Sequence, residues 1–329
     1  MESIRHWLDG MKLRASYGVI GNQNINPYTF TPSMSVNNKA TSCIIDDTYV
    51  TSISSLPALV SQNFSWEKVG TINVGIDLNM FNNRLNGVFE WYQRNTNGML
   101  APGVQLPAVV GASAPYQNTA DMRTRGWELS LNWRDQIGKV GYRLGFNLSD
   151  YKSEIIKYDD NATTKLLSSY YPGQTLGEIW GYVVDGYYTV DDFVDTSSWQ
   201  LKEGVTSING YNVRPGDVKF KNLRDDDSST NVITSGDNTF DNPGDRKVIG
   251  NTTPRYQYGI NLGLNYAGFD LNVILQGTGK RDYWISNVLT SPMNGDNFVP
   301  LFEGLSDYWM PKDPDNGDWS AVNPDAKYP

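Results

Sequence analysis

Apolar and polar residues alternate along several segments of the chain, each about ten residues long. In an extended strand, successive side chains point to opposite faces of the sheet, so alternation predicts a strand with one apolar and one polar face. The alternation is complete over residues 71–80, where the apolar positions are Ile72, Val74, Ile76, Leu78 and Met80. Six further segments show it, at residues 12–18, 84–94, 127–133, 142–149, 256–266 and 269–275. The sequence therefore predicts seven strands and an all-β fold.

Short turns and long connections alternate between these strands. Tight turns are predicted at residues 81–83, 136–139 and 267–268, and long connections at residues 21–65, 95–123 and 151–254. Ten residues at about 3.3 Å each, tilted by about 40°, span about 25 Å, the height of the apolar band of an outer-membrane barrel. The pattern predicts a partial antiparallel transmembrane β-barrel with long extracellular loops.

Two soluble folds compete with this interpretation. A surface glycan-binding β-sandwich would also carry one apolar and one polar face on each strand. Long loops at only one end, and polar faces rich in Gly and Asn, favour the barrel. A β-rich hydrolase is the third hypothesis, with Glu178 and Asp185 as an acid pair, but their spacing gives it no support.

Composition narrows the function further. The chain has 31 Gly and 20 Tyr, one cysteine (Cys43), one histidine (His6) and a formal net charge of -9. An internal disulfide, a His-based zinc site and a Ser/His/Asp triad within the chain are excluded, and the negative charge disfavours nucleic acid. No run reaches the roughly 18 apolar residues of a membrane helix. We therefore expect no enzyme and no obligatory cofactor.

Short motifs follow one another in order along nearly the whole chain. They include Leu13-Arg14-Ala15-Ser16-Tyr17-Gly18, Trp66-Glu67-Lys68, Asn82-Asn83-Arg84-Leu85, Arg125-Gly126-Trp127-Glu128-Leu129, Ile179-Trp180-Gly181-Tyr182, Pro215-Gly216-Asp217 and Asp245-Arg246. Together these motifs resemble the SusC/RagA-type TonB-dependent outer-membrane transporters of Bacteroidetes. No single short motif would suffice, but their shared order makes the resemblance specific.

The resemblance implies a barrel of about 22 strands, of which residues 1–329 form a fragment. A plug domain, a TonB box and the closing strands are then expected to lie outside this chain. It also implies active import of a bulky nutrient, either an oligosaccharide or a peptide, across the cell outer membrane of a Gram-negative bacterium. The implied partners are a SusD-like surface lipoprotein, the TonB complex and outer-membrane lipid.

An acidic segment lies within the long connection of residues 151–254. Asp225, Asp226 and Asp227 are adjacent, and Asp237, Asp241 and Asp245 lie beyond them. The resemblance places a calcium-type loop here, so Asp225, Asp227 and Asp245 are the candidate ligands. Calcium needs six to eight closely spaced oxygens, and residues 228–236 interrupt the spacing. The sequence favours a solvated acidic loop over a bound Ca²⁺ ion.

Aromatic residues form two groups. Trp180, Tyr182, Tyr187 and Tyr188 lie close together in a predicted loop, where they could stack on a ligand or partner, or simply form the loop's own core. Core packing is the favoured alternative. The second group is expected to lie at the lipid headgroup level as an interfacial girdle. Its members are Trp66, Trp91, Trp127, Trp133 and Tyr256.

Overall fold

A computed structural model describes residues 7–23, 31–32, 36–37, 43–45, 48–50, 53–54, 57, 59–61, 65–167, 170–224, 231–285 and 303–328. Strands dominate these ranges, and their helical segments are short 3₁₀ turns. None of the helices within these ranges is long and apolar enough to cross a membrane.

Seven long strands form one sheet in which every strand pairs antiparallel with its neighbour in the chain. They are β1 (Leu8–Asn22), β2 (Glu67–Met80), β3 (Leu85–Pro102), β4 (Tyr116–Ile137), β5 (Val140–Tyr158), β6 (Arg255–Tyr266) and β7 (Phe269–Lys280). The all-β fold and the seven predicted strands are confirmed. The strand order is that of a β-meander, with β1 and β7 at the two edges.

Several strands are longer than the alternation predicts. β3 continues to Pro102, β4 begins at Tyr116 and β5 ends at Tyr158. The predicted loop over residues 95–123 is therefore wrong in its bounds, because the connection spans only residues 103–115. These extensions carry polar residues on both faces, so they lack the alternating signal while still forming ladder hydrogen bonds.

The registers place the alternating apolar residues of the seven strands on one face of the sheet, while Val88, Tyr92 and Ile274 lie on the other. One transverse row joins Leu13, Ile76, Phe89, Leu129, Leu148 and Tyr258 across six strands. The next row, on the opposite face, joins Arg14, Gly75, Glu90, Glu128, Ser149 and Gln257. A slip of one residue at any pair would exchange these faces, so the alternation fixes the register. We call the two surfaces the apolar face and the polar face.

The apolar face is exposed. Leu13 is 71% exposed, Val74 49%, Leu262 40% and Leu271 56%. A β-sandwich would bury this face against a second sheet. Among the described residues no second sheet covers it, so the arrangement is incompatible with the sandwich hypothesis. The seven strands form an open sheet, which is consistent with part of a barrel.

The turn between β2 and β3 reverses the chain within residues 81–83. Phe81, Asn82 and Asn83 all have left-handed backbone angles, with φ between 57° and 58°. Asparagine tolerates this conformation better than most residues, which explains the pair of asparagines. Phe81 lies 6.0 Å from the Trp133 ring, centroid to centroid. This contact holds the turn beside β4.

Short strands and 3₁₀ turns occupy the connections. The paired strands are Glu178–Gly181 with Lys247–Asn251, Val184–Tyr187 with Val218–Phe220, Ser207–Ile208 with Val232–Ile233, Pro311–Asp313 with Asp318–Ala321, Val36–Asn37 with Ile53–Ser54, and Cys43–Ile45 with Thr48–Val50. The 3₁₀ turns are Ala108–Val110, Asp159–Asn161, Val190–Asp192, Glu303–Ser306 and Pro314–Asn316.

The chain divides into two compact units. The sheet unit comprises residues 1–164, 169–176 and 254–280, and the loop unit comprises residues 165–168, 177–253 and 281–329. The main part of the loop unit is therefore an insertion between β5 and β6, which are neighbours in the sheet. The sheet unit carries the two faces, and the loop unit has a small core of its own.

If lipid covers the apolar face, Leu262→Arg should destabilise the full-length barrel by about 2 to 4 kcal/mol, because a charge near the bilayer midplane is costly. Asn261→Arg, one residue away on the polar face, is the matched control and should be far milder. Urea titrations of the protein refolded in lipid measure both. Equal losses at the two positions would contradict the assignment of the faces.

Candidate functional site

Tryptophan residues mark both borders of the apolar face on β3 and β4. Trp91 lies directly opposite Trp127, and six residues further along β3 and β4 Leu85 lies opposite Trp133. The positions between these borders on the same face are Gly87, Phe89, Leu129 and Leu131. Beyond Trp91 the same face becomes polar, with Gln93 opposite Arg125 and Asn95 opposite Arg123. This is the arrangement that an interfacial girdle requires.

The two other predicted girdle residues lie at strand beginnings. Trp66 immediately precedes β2 and is 63% exposed, and Tyr256 is the second residue of β6 and is 47% exposed. The Trp66 ring lies across Gly21, where an added Cβ atom would approach the ring to 2.8 Å. A larger residue at position 21 would displace the Trp66 ring from β1.

A charge network lies on the polar face of β1, β2 and β3. One Arg14 nitrogen is 2.8 Å from an Asp77 oxygen and 2.5 Å from a Glu90 oxygen. Gly75 lies between them, and an added Cβ atom there would come within 3.2 Å of both Arg14 and Glu90. The glycine thus leaves room for the guanidinium to lie flat on the sheet. Charged groups placed in this way suit a water-filled lumen and would be costly against lipid.

The remainder of the polar face offers hydrogen-bonding groups. Arg143 reaches across Gly263 and donates from Nη2 to Asn272 Oδ1 at 2.6 Å. Asn132 donates to Ser130 at 3.3 Å. Such neutral and charged groups can hydrate a passage and bind the hydroxyl or amide groups of a passing solute.

The loop unit is organised around a buried aromatic core. Tyr188 is 0% exposed and packs with Phe193 and Val213. Its hydroxyl donates to the carbonyl oxygen of Thr206 at 2.5 Å. Burial, with a smaller effect from nearby Asp192, raises the pKa of Tyr188 to about 12. Tyr188 is therefore a core residue with no surface for a ligand, as the favoured alternative expects.

The three other aromatic residues of the predicted loop cluster are half-buried and have different partners. Trp180 donates from its indole to Glu178 at 3.0 Å, and the Tyr182 ring lies 5.3 Å from Phe220. The pKa of Tyr187 is raised, first by burial and then by the charge of Asp307. Ligand contact by these three residues stays a prediction.

An aromatic contact that no local sequence pattern indicates joins distant parts of the loop unit. Trp199 and Trp319 meet edge to face with centroids 5.0 Å apart, and the Arg214 guanidinium lies 5.7 Å from the Trp199 centroid. These residues are far apart in the chain and follow no local pattern. Only the fold brings them together.

Asp245 is fully buried and its carboxylate accepts hydrogen bonds from three backbone amides. The donors are Leu223 at 2.9 Å, Arg224 at 3.2 Å and Thr234 at 2.8 Å. These amides belong to the two segments that flank the acidic loop, so Asp245 ties the ends of that loop together. A carboxylate bound in this way has a structural role.

The other members of the predicted calcium loop, Asp225, Asp226 and Asp227, lie outside the described residues. Within the part of the chain that the structure describes, no three His, Cys, Asp or Glu side chains are grouped so that they could hold a metal ion. Calcium binding through Asp225, Asp227 and Asp245 stays a prediction. The acid pair Glu178 and Asp185 is engaged separately, with Trp180 and with Lys221 at 3.5 Å.

Comparison with protein families matches residues 4–310 to the model of the TonB dependent receptor-like β-barrel. The chain belongs to this family. The predicted resemblance to TonB-dependent outer-membrane receptors is thereby confirmed. Members of the family are receptors and transporters whose barrels lie in the outer membrane, and the strand pattern of the sheet unit is the pattern of their barrel wall.

Curated members of this TonB-dependent receptor family are similar over part of their length. TonB-dependent receptor P3 of Formosa agariphila is 28% identical over 282 residues, which is 81% of this chain and 25% of the relative. SusC of Bacteroides thetaiotaomicron is 31% identical over 153 residues, which is 46% of this chain and 15% of SusC. The chain thus spans about a quarter, or less, of the length of these relatives.

Solved structures show the same fold. The RagAB peptide importer in its open-open state matches with a TM-score of 0.60 and 20% identity, over 83% of this chain and 26% of that one. Another RagAB structure matches with a TM-score of 0.55 and 22% identity, over 82% of this chain and 27% of that one. At this identity the likeness supports the barrel fold alone.

The role of Asp245 can be tested in the full-length receptor. Asp245→Asn replaces an acceptor-only group by one that also presents donors. We therefore expect the free energy of local opening to fall by at least about 2 kcal/mol. Hydrogen exchange of the Leu223, Arg224 and Thr234 amides should become faster by roughly 30-fold. Asp241→Asn, at an exposed position, is the control and should leave these rates unchanged. Unchanged exchange of these amides in Asp245→Asn would contradict the role of Asp245 in joining the two ends of the acidic loop.

Proposed function

We propose that this chain forms part of the wall, the lumen surface and the external loops of an outer-membrane active importer for a bulky nutrient. The observation that carries the proposal is the constant parity of the sheet. All six strand pairings keep the alternating apolar residues on one exposed face and most of the polar and charged residues on the opposite face. Such a sheet needs lipid on one side and water on the other.

The long connections lie outside the cell in this proposal. In an antiparallel meander, all connections after β1, β3 and β5 leave the same end of the sheet, and these are the long ones. The short turns after β2, β4 and β6 lie at the opposite end and face the periplasm. The loop unit, inserted after β5, would then be external and available to a partner.

The partners and the energy source of the proposed importer are inferred from its relatives. We infer a SusD-like lipoprotein at the external side and the TonB complex as the energy source, acting through a plug that belongs to the longer protein. SusC and the RagAB importer, which this chain resembles, support this inference. The polar face bears carboxylates, guanidinium groups and amides, and such groups would suit either an oligosaccharide or a peptide.

Whole-cell uptake tests the proposed function. Labelled oligosaccharides and labelled peptides are offered to cells that make the full-length protein, to cells without its gene, and to cells without TonB. One of the two classes should accumulate only when both the protein and TonB are present, because the family couples import to TonB. Accumulation that is unaffected by the loss of either one would contradict the proposal.

A further inference from the structure

Two cations lie side by side on the apolar face, one row beyond its tryptophan border. Arg125 is directly opposite Lys152, and both are exposed. Arg125 and Lys152 each lie two residues along their strands from the row that contains Trp127. The two cations are therefore about 7 Å from the level of the Trp127 indole. Trp91 and Trp127 belong at the headgroup layer, and the next row therefore reaches the level of the polar lipid groups.

No carboxylate neutralises this pair. Within the described residues, no Asp or Glu oxygen lies within 4.0 Å of a nitrogen of Arg125 or Lys152. Asp150 is near in the sequence, but Arg255 binds both of its carboxylate oxygens at 2.5 Å. Like charges on directly opposite residues of a sheet are destabilising unless a counter-charge is shared between them.

Neutral amides orient the guanidinium groups instead. Arg125 Nε donates to Gln93 Oε1 at 2.8 Å, and Arg123 Nε donates to Asn95 Oδ1 at 3.3 Å. Each contact uses only the Nε–H, so it orients the guanidinium group without neutralising its positive charge. On β4 and β5 the two rows consist of Arg125 opposite Lys152 and Arg123 opposite Glu154. These four positions hold three cations and one carboxylate. The patch is cationic in a chain whose formal net charge is -9.

The position of Arg125 and Lys152 on the apolar face indicates which kind of anion they would bind. The patch lies on the face that meets lipid, whereas a transported solute would meet the polar face. An exposed Arg and an exposed Lys within reach of one group, at headgroup level, match the oxygens of a phosphate. We propose that Arg125 and Lys152, supported by Gln93, bind the phosphate of a membrane lipid in the leaflet at the long-connection end of the barrel.

This inference rests on the membrane placement in the proposed function and does not depend on import. Native mass spectrometry of the full-length protein in detergent provides the test, with titration of phosphatidic acid and, separately, of diacylglycerol, which lacks the phosphate. The protein should retain phosphatidic acid and not diacylglycerol. The double variant Arg125→Gln/Lys152→Gln should bind phosphatidic acid about tenfold more weakly, or worse, since hydrogen bonds to charged groups are lost.

Two further variants act as controls. Arg94→Gln/Lys12→Gln removes one exposed Arg and one exposed Lys from the polar face, and its affinity should stay within about twofold of the wild type. Arg125→Lys/Lys152→Arg keeps both charges and should keep most of the binding. Thermal unfolding in the same detergent identifies any variant that fails to fold.

Three results would overturn the proposal. The first is equal loss of phosphatidic acid in the two charge-removing double variants. The second is equal retention of diacylglycerol. The third is complete competition by inorganic phosphate, which would indicate a free-phosphate site instead of a lipid site. Uptake assays on the same variants separate this inference from the proposed transport function. Normal uptake together with lost lipid binding would support the lipid site and leave the import proposal intact.

Discussion

The parity of the strand pleat is the constraint on which the whole molecule depends. Side chains alternate with a period of two, so each of the six pairings has to take the register that places the apolar positions of one strand opposite the apolar positions of the next. The row from Leu13 to Tyr258 shows this for five pairings, and Leu262 opposite Val273 shows it for the sixth. A single slip would place Glu90 or Asp77 against lipid, at a cost of several kcal/mol.

The same constraint explains the positions of the charges and of several glycines. Arg14 can pair with both Asp77 and Glu90 because all three side chains leave the same face and Gly75 leaves space between them. At the border of the apolar face the rule changes, since Gln93, Arg125 and Lys152 occupy apolar-face positions beyond Trp91 and Trp127. The band of apolar residues therefore has a defined edge.

The sequence predicts the sheet well and the loop unit poorly, for a physical reason. Alternation is a local signal, so residues 71–80 disclose their strand and their face without knowledge of any neighbour. The polar extension of β3 to Pro102 has no such signal, and its strand depends on pairing with β4.

In the loop unit the informative contacts join distant residues, such as Trp199 with Trp319 and Asp245 with the Leu223 amide. Composition cannot reveal that Tyr188 lies in a core while Tyr211 is 74% exposed. Both are tyrosines in polar, glycine-rich sequence, and their environments depend on packing between segments.

The central claim is that one face of this sheet meets lipid and the other meets water, and a cysteine scan along β6 tests it most directly. Single cysteines at positions 257–265 are placed in the full-length protein with Cys43→Ser and are treated in intact outer membranes with a small water-soluble thiol reagent. Positions 257, 259, 261 and 265 should react, and the even-numbered positions between them should be protected by lipid. Position 263 is left out because Arg143 covers Gly263. Uniform reaction along the strand, or reaction at the even positions alone, would contradict the assignment.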